Sequence, residues 1–210
     1  KIKELNYKKQ LSISYEYSKI NKKRRLKTLL SEQLLYGING VGKESGDIRF
    51  IRITDIDGLG ELKNENILYL DKCDKKFLLK EGDVLFAKIT PCMENGKGGV
   101  AKNLKNNIGF GTTEIHIIRP IPNITNSQWL YHLTKLPLFR KDAEIHMTGS
   151  AGQKRVPTTY LSNFKIKVPP IELQNKFAEK VEKIEKLSFI ISSLIFKISE
   201  ILKKKGVESN

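Results

Sequence analysis

The chain has 210 residues, a formal net charge of +15 and a pI near 9.7, so nucleic acid is the leading partner class. No charge-free apolar run reaches the roughly 18 residues of a membrane span, and the start is too charged for a signal peptide. Cys73 and Cys92 stand nineteen apart without a CxxC, so neither a disulfide framework nor a zinc site is implied. Reduced thiols in a cytoplasmic protein are the expectation. The length suits one domain with an appendage. The first residue is Lys1 rather than methionine, which leaves room for a longer natural polypeptide.

Residues 1–30 hold ten Lys/Arg against two acids, a +8 excess centred on Lys22-Lys23-Arg24-Arg25. That run reads as a solvated or interacting lead-in over 1–25. Leu11, Ile13, Tyr15 and Tyr17 alternate with polar residues as in a short strand, and Leu26–Leu35 has the apolar spacing of a short helix. A glycine-rich loop over Gly37–Gly42 follows. Strands are predicted over Ile48–Ile56, Ile67–Leu70, Val84–Ile89, Gly98–Ala101, Glu114–Arg119 and Phe164–Val168. Turns are expected at Asp57-Gly58, Glu81-Gly82-Asp83 and Asn95-Gly96. Helices are predicted over Ser127–Thr134 and Leu138–Glu144. The pattern is a mixed α+β domain of many short strands over 26–168, followed by one long helical segment over 169–205.

That last segment opens on Pro169-Pro170, where a first helical turn tolerates proline. Its apolar positions Ile184, Leu187, Ile191, Leu194, Ile198 and Ile201 are spaced 3, 4, 3, 4, 3, which is the seam of a coiled coil. A helix of some thirty residues is about 45 Å long, more than a domain of this size covers. A partner helix is therefore expected, from another chain or another segment.

No motif supports catalysis. Gly37-Ile38-Asn39-Gly40-Val41-Gly42-Lys43-Glu44 nearly matches a phosphate loop, but Glu44 stands where magnesium needs Ser or Thr, and the loop follows a helix. Glu61-Leu62-Lys63 fits a nuclease ExK, yet such matches are common at 29% charged residues and the setting is a turn. Thr90-Pro91-Cys92 resembles a methyltransferase nucleophile without any cofactor loop. His116, His132 and His146 have no partners at metal or catalytic spacing, and His116 reads as a packed strand residue. No cofactor or metal is implied.

What stands out is a set of donor-rich loops. Thr90–Lys97 carries Asn95 and Lys97, Gly109–Thr113 carries Thr112, and Gly149–Arg155 carries Ser150, Gln153, Lys154 and Arg155. Lys43, Lys88, Lys97, Lys154 and Arg155 are the candidates for phosphate contact. Asn95, Thr112, Ser150 and Gln153 are the candidates for base edges, since amides and hydroxyls can pair with groove atoms.

Six segments in order carry a family resemblance. They are Leu35-Tyr36-Gly37, Arg49-Phe50-Ile51-Arg52-Ile53-Thr54-Asp55-Ile56 and Glu81-Gly82-Asp83-Val84-Leu85-Phe86-Ala87-Lys88. Thr90–Lys97, Gly111-Thr112-Thr113-Glu114 and Pro169-Pro170-Ile171-Glu172-Leu173-Gln174 complete the set. In this order they resemble the DNA-specificity subunit of Type I restriction–modification enzymes, a target recognition domain followed by a spacer helix. The resemblance implies a non-catalytic subunit that reads one half of a split double-stranded DNA target. It also implies that the helix pairs with a second recognition module and docks a methyltransferase subunit, with a restriction or motor subunit as a further partner. Members typically carry two recognition domains and two helices, so this chain is either a half subunit that pairs with itself or a fragment of a longer chain. The alternative is the recognition domain of a fused Type II methyltransferase–nuclease.

Overall fold

A computed structural model describes residues 23–25, 47–58, 60–63, 66–69, 77–150 and 152–204. The expected strand at 11–17, the helix at 26–35, the glycine-rich loop with Lys43, and Cys73 lie outside the described residues.

Among the described residues, nine strands form three sheets. β1 (Lys23–Arg25) pairs antiparallel with β9 (Lys165–Lys167). Part of the basic run at the end of the lead-in is therefore a strand of the domain. The second sheet has the order β3-β2-β7-β4, from β3 (Asn66–Tyr69), β2 (Asp47–Ile51), β7 (Ile108–Gly111) and β4 (Leu78–Lys80). Its β2–β7 pair is parallel and its other pairs are antiparallel. The third is an antiparallel sheet, β6-β5-β8, from β6 (Gly98–Val100), β5 (Val84–Ala87) and β8 (Ile115–Ile118). The described residues also form the helices α1 (Ser127–Thr134), α2 (Pro137–Ile145), α3 (Thr158–Asn163) and α4 (Ile171–Lys204).

β5 explains why its sequence is apolar without alternation. All four of its residues are buried. Val84 and Phe86 face a core with Met93, Trp129, Leu130, Leu133, Phe139, Leu161 and Ile166. Leu85, on the other face, joins Ile51, Ile56, Leu79, Ala101, Leu104 and Ile115. A strand covered on both faces reads as a continuous apolar run. At one end of β5, Asp83 accepts from both Nε and Nη2 of Arg119, the residue after β8, at 2.8 and 2.6 Å, in an almost fully buried ion pair. Gly99 allows the third sheet to approach the Asp57–Gly60 turn, since a Cβ there would lie 2.2 Å from the Gly60 carbonyl oxygen.

Several predicted elements needed correction. The strand expected over Ile48–Ile56 ends at Ile51, because the Asp55 carboxylate accepts the Arg52 N–H at 2.9 Å and its guanidinium at 3.1 and 3.2 Å. The chain turns there into a short 3-10 segment, Ile53–Asp55. β4, β7 and α3 had no counterpart among the predicted elements. β7 is Ile-Gly-Phe-Gly, and glycine weakens a strand signal. Gly109 is there because a Cβ would meet Leu79 at 2.9 Å. α1 starts where Asn126 accepts the N–H groups of Gln128 and Trp129.

α4 is 34 residues long, about 51 Å at 1.5 Å per residue. Its first turns are anchored through Gln174, which is fully buried. The Gln174 Oε1 accepts the Asn126 N–H at 2.8 Å, and its Nε2 donates to the carbonyls of Ile124 and Pro169 at 2.9 and 2.8 Å. Val181 is buried, and the Phe177 ring meets His132 edge-on. Beyond this, Ile184, Glu185, Ser188 and Ser192 line a cleft against Arg49, Tyr131 and Lys135.

Candidate nucleic-acid interface

Three chain segments meet where β5 gives way to Lys88 and β8 begins. The Ala87 N–H donates to the Lys97 carbonyl at 3.2 Å, which closes the 90–97 loop onto the strand end. The Lys88 N–H donates to Glu114 at 3.1 Å, the Val156 N–H to Lys88 at 2.9 Å, and the Thr90 N–H to Lys154 at 3.0 Å. The loops at 90–97, 112–114 and 148–155, far apart in sequence, thus share one backbone frame.

Each loop has its own brace. Met93 is fully buried and anchors the first, where the N–H groups of Asn95, Gly96 and Lys97 donate to Pro91, Met93 and Cys92. The Thr90 hydroxyl donates to Glu94. Beneath this loop Arg140, itself buried, donates to the Met93 carbonyl. Burial pushes the Arg140 guanidinium down to about 10, so it is a cation at neutral pH. In the second loop the Thr112 N–H donates to Ile51 at 3.2 Å. The donor loop expected over Gly109–Thr113 is shorter, since Gly109–Gly111 belongs to β7. The third loop is a hairpin: Thr148 and Arg155 exchange N–H···O bonds at 3.0 and 2.8 Å, and the Gln153 N–H donates to Ser150 at 3.0 Å. Gly149 has φ +123, which only glycine adopts readily, and a Cβ there would meet the Gln153 oxygen at 2.8 Å.

One ion pair crosses between the second and third loops. Arg155 gives Nε and Nη2 to the two Glu114 oxygens at 2.9 and 2.8 Å, and Nη1 to the Gln153 carbonyl at 2.8 Å. Its side chains are 39% and 29% exposed, a setting in which an ion pair adds little to fold stability. The Arg155 hydrogen bond holds the Glu114 carboxyl below its usual range. Burial lowers the neighbouring Lys88, with Glu114 acting in the opposite sense.

Of the predicted contact residues, Asn95, Ser150, Gln153 and Lys154 are exposed, and Lys88, Lys97, Thr112 and Arg155 are half-buried. All eight lie on the three loops or the Lys88 junction. Arg140 has no sequence signal, because it lies 47 positions from the Met93 carbonyl it braces. His116 sits below the frame, stacked on Phe86, with Nε2 donating to Val156 at 2.8 Å. Burial pushes it down to about 4, which makes it a neutral packed ring, as its strand position implied. At the ExK match, Lys63 pairs with Asp57 at 3.3 Å and the Glu61 N–H donates to the same carboxylate, so the segment is a braced turn. No group of residues suited to holding a metal, and no helix long and apolar enough to cross a membrane, occurs among the described residues.

Four of the six seam residues of α4 face away from the body. At about 100° per residue, Leu187, Leu194, Ile198 and Ile201 lie roughly a third of a turn from the line of Gln174, Val181 and Ser188. These four are 52–56% exposed, whereas Ile184 and Ile191, on the side nearer the body, are half-buried. Ile190, Ile195 and Leu202 widen the apolar stripe beyond the six seam positions.

The family model for the type I restriction modification DNA specificity domain matches residues 39–200. The chain is 50% identical over 95 residues to the EcoAI type I restriction enzyme specificity subunit of Escherichia coli, covering 45% of this chain and 16% of the relative. It is 44% identical over 114 residues to the EcoEI specificity subunit of the same organism, covering 54% and 19%. The chain thus matches less than a fifth of the length of these relatives. In fold it is similar to the HsdS subunit of Thermoanaerobacter tengcongensis, with a TM-score of 0.62 at 16% identity over 87% of this chain and 46% of that one.

Proposed function

We propose that in this chain, which belongs to the type I restriction modification DNA specificity family, the three-loop edge reads one half of a split duplex target. Lys88, Lys97 and Lys154 engage phosphates and set the register. Asn95, Thr112, Ser150 and Gln153 reach for base edges. The chain catalyses nothing itself. Its exposed seam pairs with the equivalent helix of a second recognition module, and the paired helices dock a methyltransferase subunit.

The observation that carries this reading is the convergence of the three loops on one backbone frame in a chain of net charge +15. Hydroxyl, amide and lysine groups are gathered there without any group suited to holding a metal among the described residues. Base edges and phosphates ask for that mixture. The test is a salt titration of affinity for a 30-bp mixed-sequence duplex followed by fluorescence anisotropy. Log affinity should fall linearly with log salt, and Lys154→Ala should reduce the slope by about one. A wild-type chain with no salt-dependent affinity would contradict the proposal.

A further inference from the structure

We propose that Glu114 and Arg155 form a positioning pair that sets the 148–155 hairpin against the 112–114 loop, and that Arg155 does not itself neutralise a phosphate. This rests on the reading of the edge as a DNA-recognition surface.

The geometry separates Arg155 from the other cations of the edge. A guanidinium has five N–H donors. Three are engaged, two in a fork on Glu114 and one on the Gln153 carbonyl of its own hairpin. The Arg155 backbone is committed as well, exchanging bonds with Thr148 and bridging to Ile89. The side chain therefore links a residue paired to two segments, Thr148 and Ile89, with a residue whose carbonyl receives the Lys88 N–H. Lys154, one position away, is exposed, and its carbonyl holds the Thr90 N–H.

Electrostatics points the same way. A phosphate that drew Arg155 off Glu114 would leave a bare carboxylate on the edge that must accept a polyanion. Kept on Glu114, the guanidinium cancels that charge, and Lys88 and Lys154 are left to meet phosphates. The pair is exposed enough that removing it leaves the domain folded. Its worth lies in where Ser150, Gln153 and Lys154 sit.

Removing both partners at once leaves the net charge unchanged, which makes the test clean. The 210-residue chain and its Glu114→Ala/Arg155→Ala double variant are titrated against a duplex selected by the wild type from a randomised pool, and against a scrambled duplex. The expected result is an unchanged melting temperature and salt slope, unchanged affinity for the scrambled duplex, and a roughly tenfold loss on the selected one. The swapped pair Glu114→Arg/Arg155→Glu should restore part of that preference. In the free protein, hydrogen exchange at the Thr148, Arg155 and Thr90 amides should quicken in the double variant and recover in the swap. A salt slope lower by about one in the double variant would make Arg155 a phosphate contact and overturn the inference while the DNA reading stands. Unchanged exchange would overturn it too, whatever the DNA results. A wild type without salt-dependent affinity would instead remove the DNA reading on which it rests.

Discussion

Leu194→Asp with Ile198→Asp tests the seam of α4. The two side chains are 52% and 56% exposed, so a little over half of each is open to burial. Full burial of a leucine or isoleucine is worth about 1.5–3 kcal/mol, which leaves about 1–1.5 kcal/mol per residue here. If two copies pair, four such side chains are lost, or about 4–6 kcal/mol, a loss of roughly a thousandfold or more in dimer affinity. Light scattering after size exclusion reads this directly. The wild type should run at about 48 kDa (twice the 24.0 kDa chain) and the variant at 24.0 kDa. The unfolding transition of the globular body should persist, because Leu194 and Ile198 face away from it. A wild type that stays at 24.0 kDa at every concentration, or a variant that keeps the dimer mass, would refute the argument for self-pairing.

Three further outcomes follow from the geometry. Gln174→Ala removes the partners of three backbone groups, costs about 2–4 kcal/mol, and should speed hydrogen exchange in the first turns of α4. Gly149→Ala forces a side chain into a backbone only glycine adopts readily, so affinity for a selected duplex should fall at least about tenfold with little change in melting temperature. His116 is held near 4 when folded against 6.5 when exposed, so the unfolded chain takes up its proton first as pH falls. The His116 contribution to stability should therefore drop by up to about 3 kcal/mol between pH 6.5 and 4, a fall that His116→Gln flattens in pH-dependent denaturant titrations.

Elements with strong local signals were legible in the sequence. α1 coincides with its predicted span, since Asn126 caps it and Pro137 begins the next helix. β5 was legible because an unbroken apolar run between turn residues has few other readings. β4 and β7 were not, because three- and four-residue strands carry almost no periodicity and β7 is half glycine. At the edge, the loops could be nominated by composition, but not their junction. Glu114 and Arg155 lie 41 positions apart, and nothing local links an arginine after a glycine loop to a glutamate opening a strand. The buried Arg140 under Met93 was invisible for the same reason. The helix seam was legible as a heptad, but which way it faces depends on the buried Gln174 and Val181 contacts that set the rotation of α4.

Selection from a randomised duplex pool, with the wild type run beside Gln153→Ala, Asn95→Ala and Lys154→Ala, asks whether the three-loop edge reads bases. The wild type should yield a short defined consensus, relaxed at particular positions by the Gln153 and Asn95 changes. Lys154→Ala should weaken recovery without altering the consensus. A pool that stays flat after repeated rounds, or a consensus none of these substitutions alters, would contradict base reading by this edge.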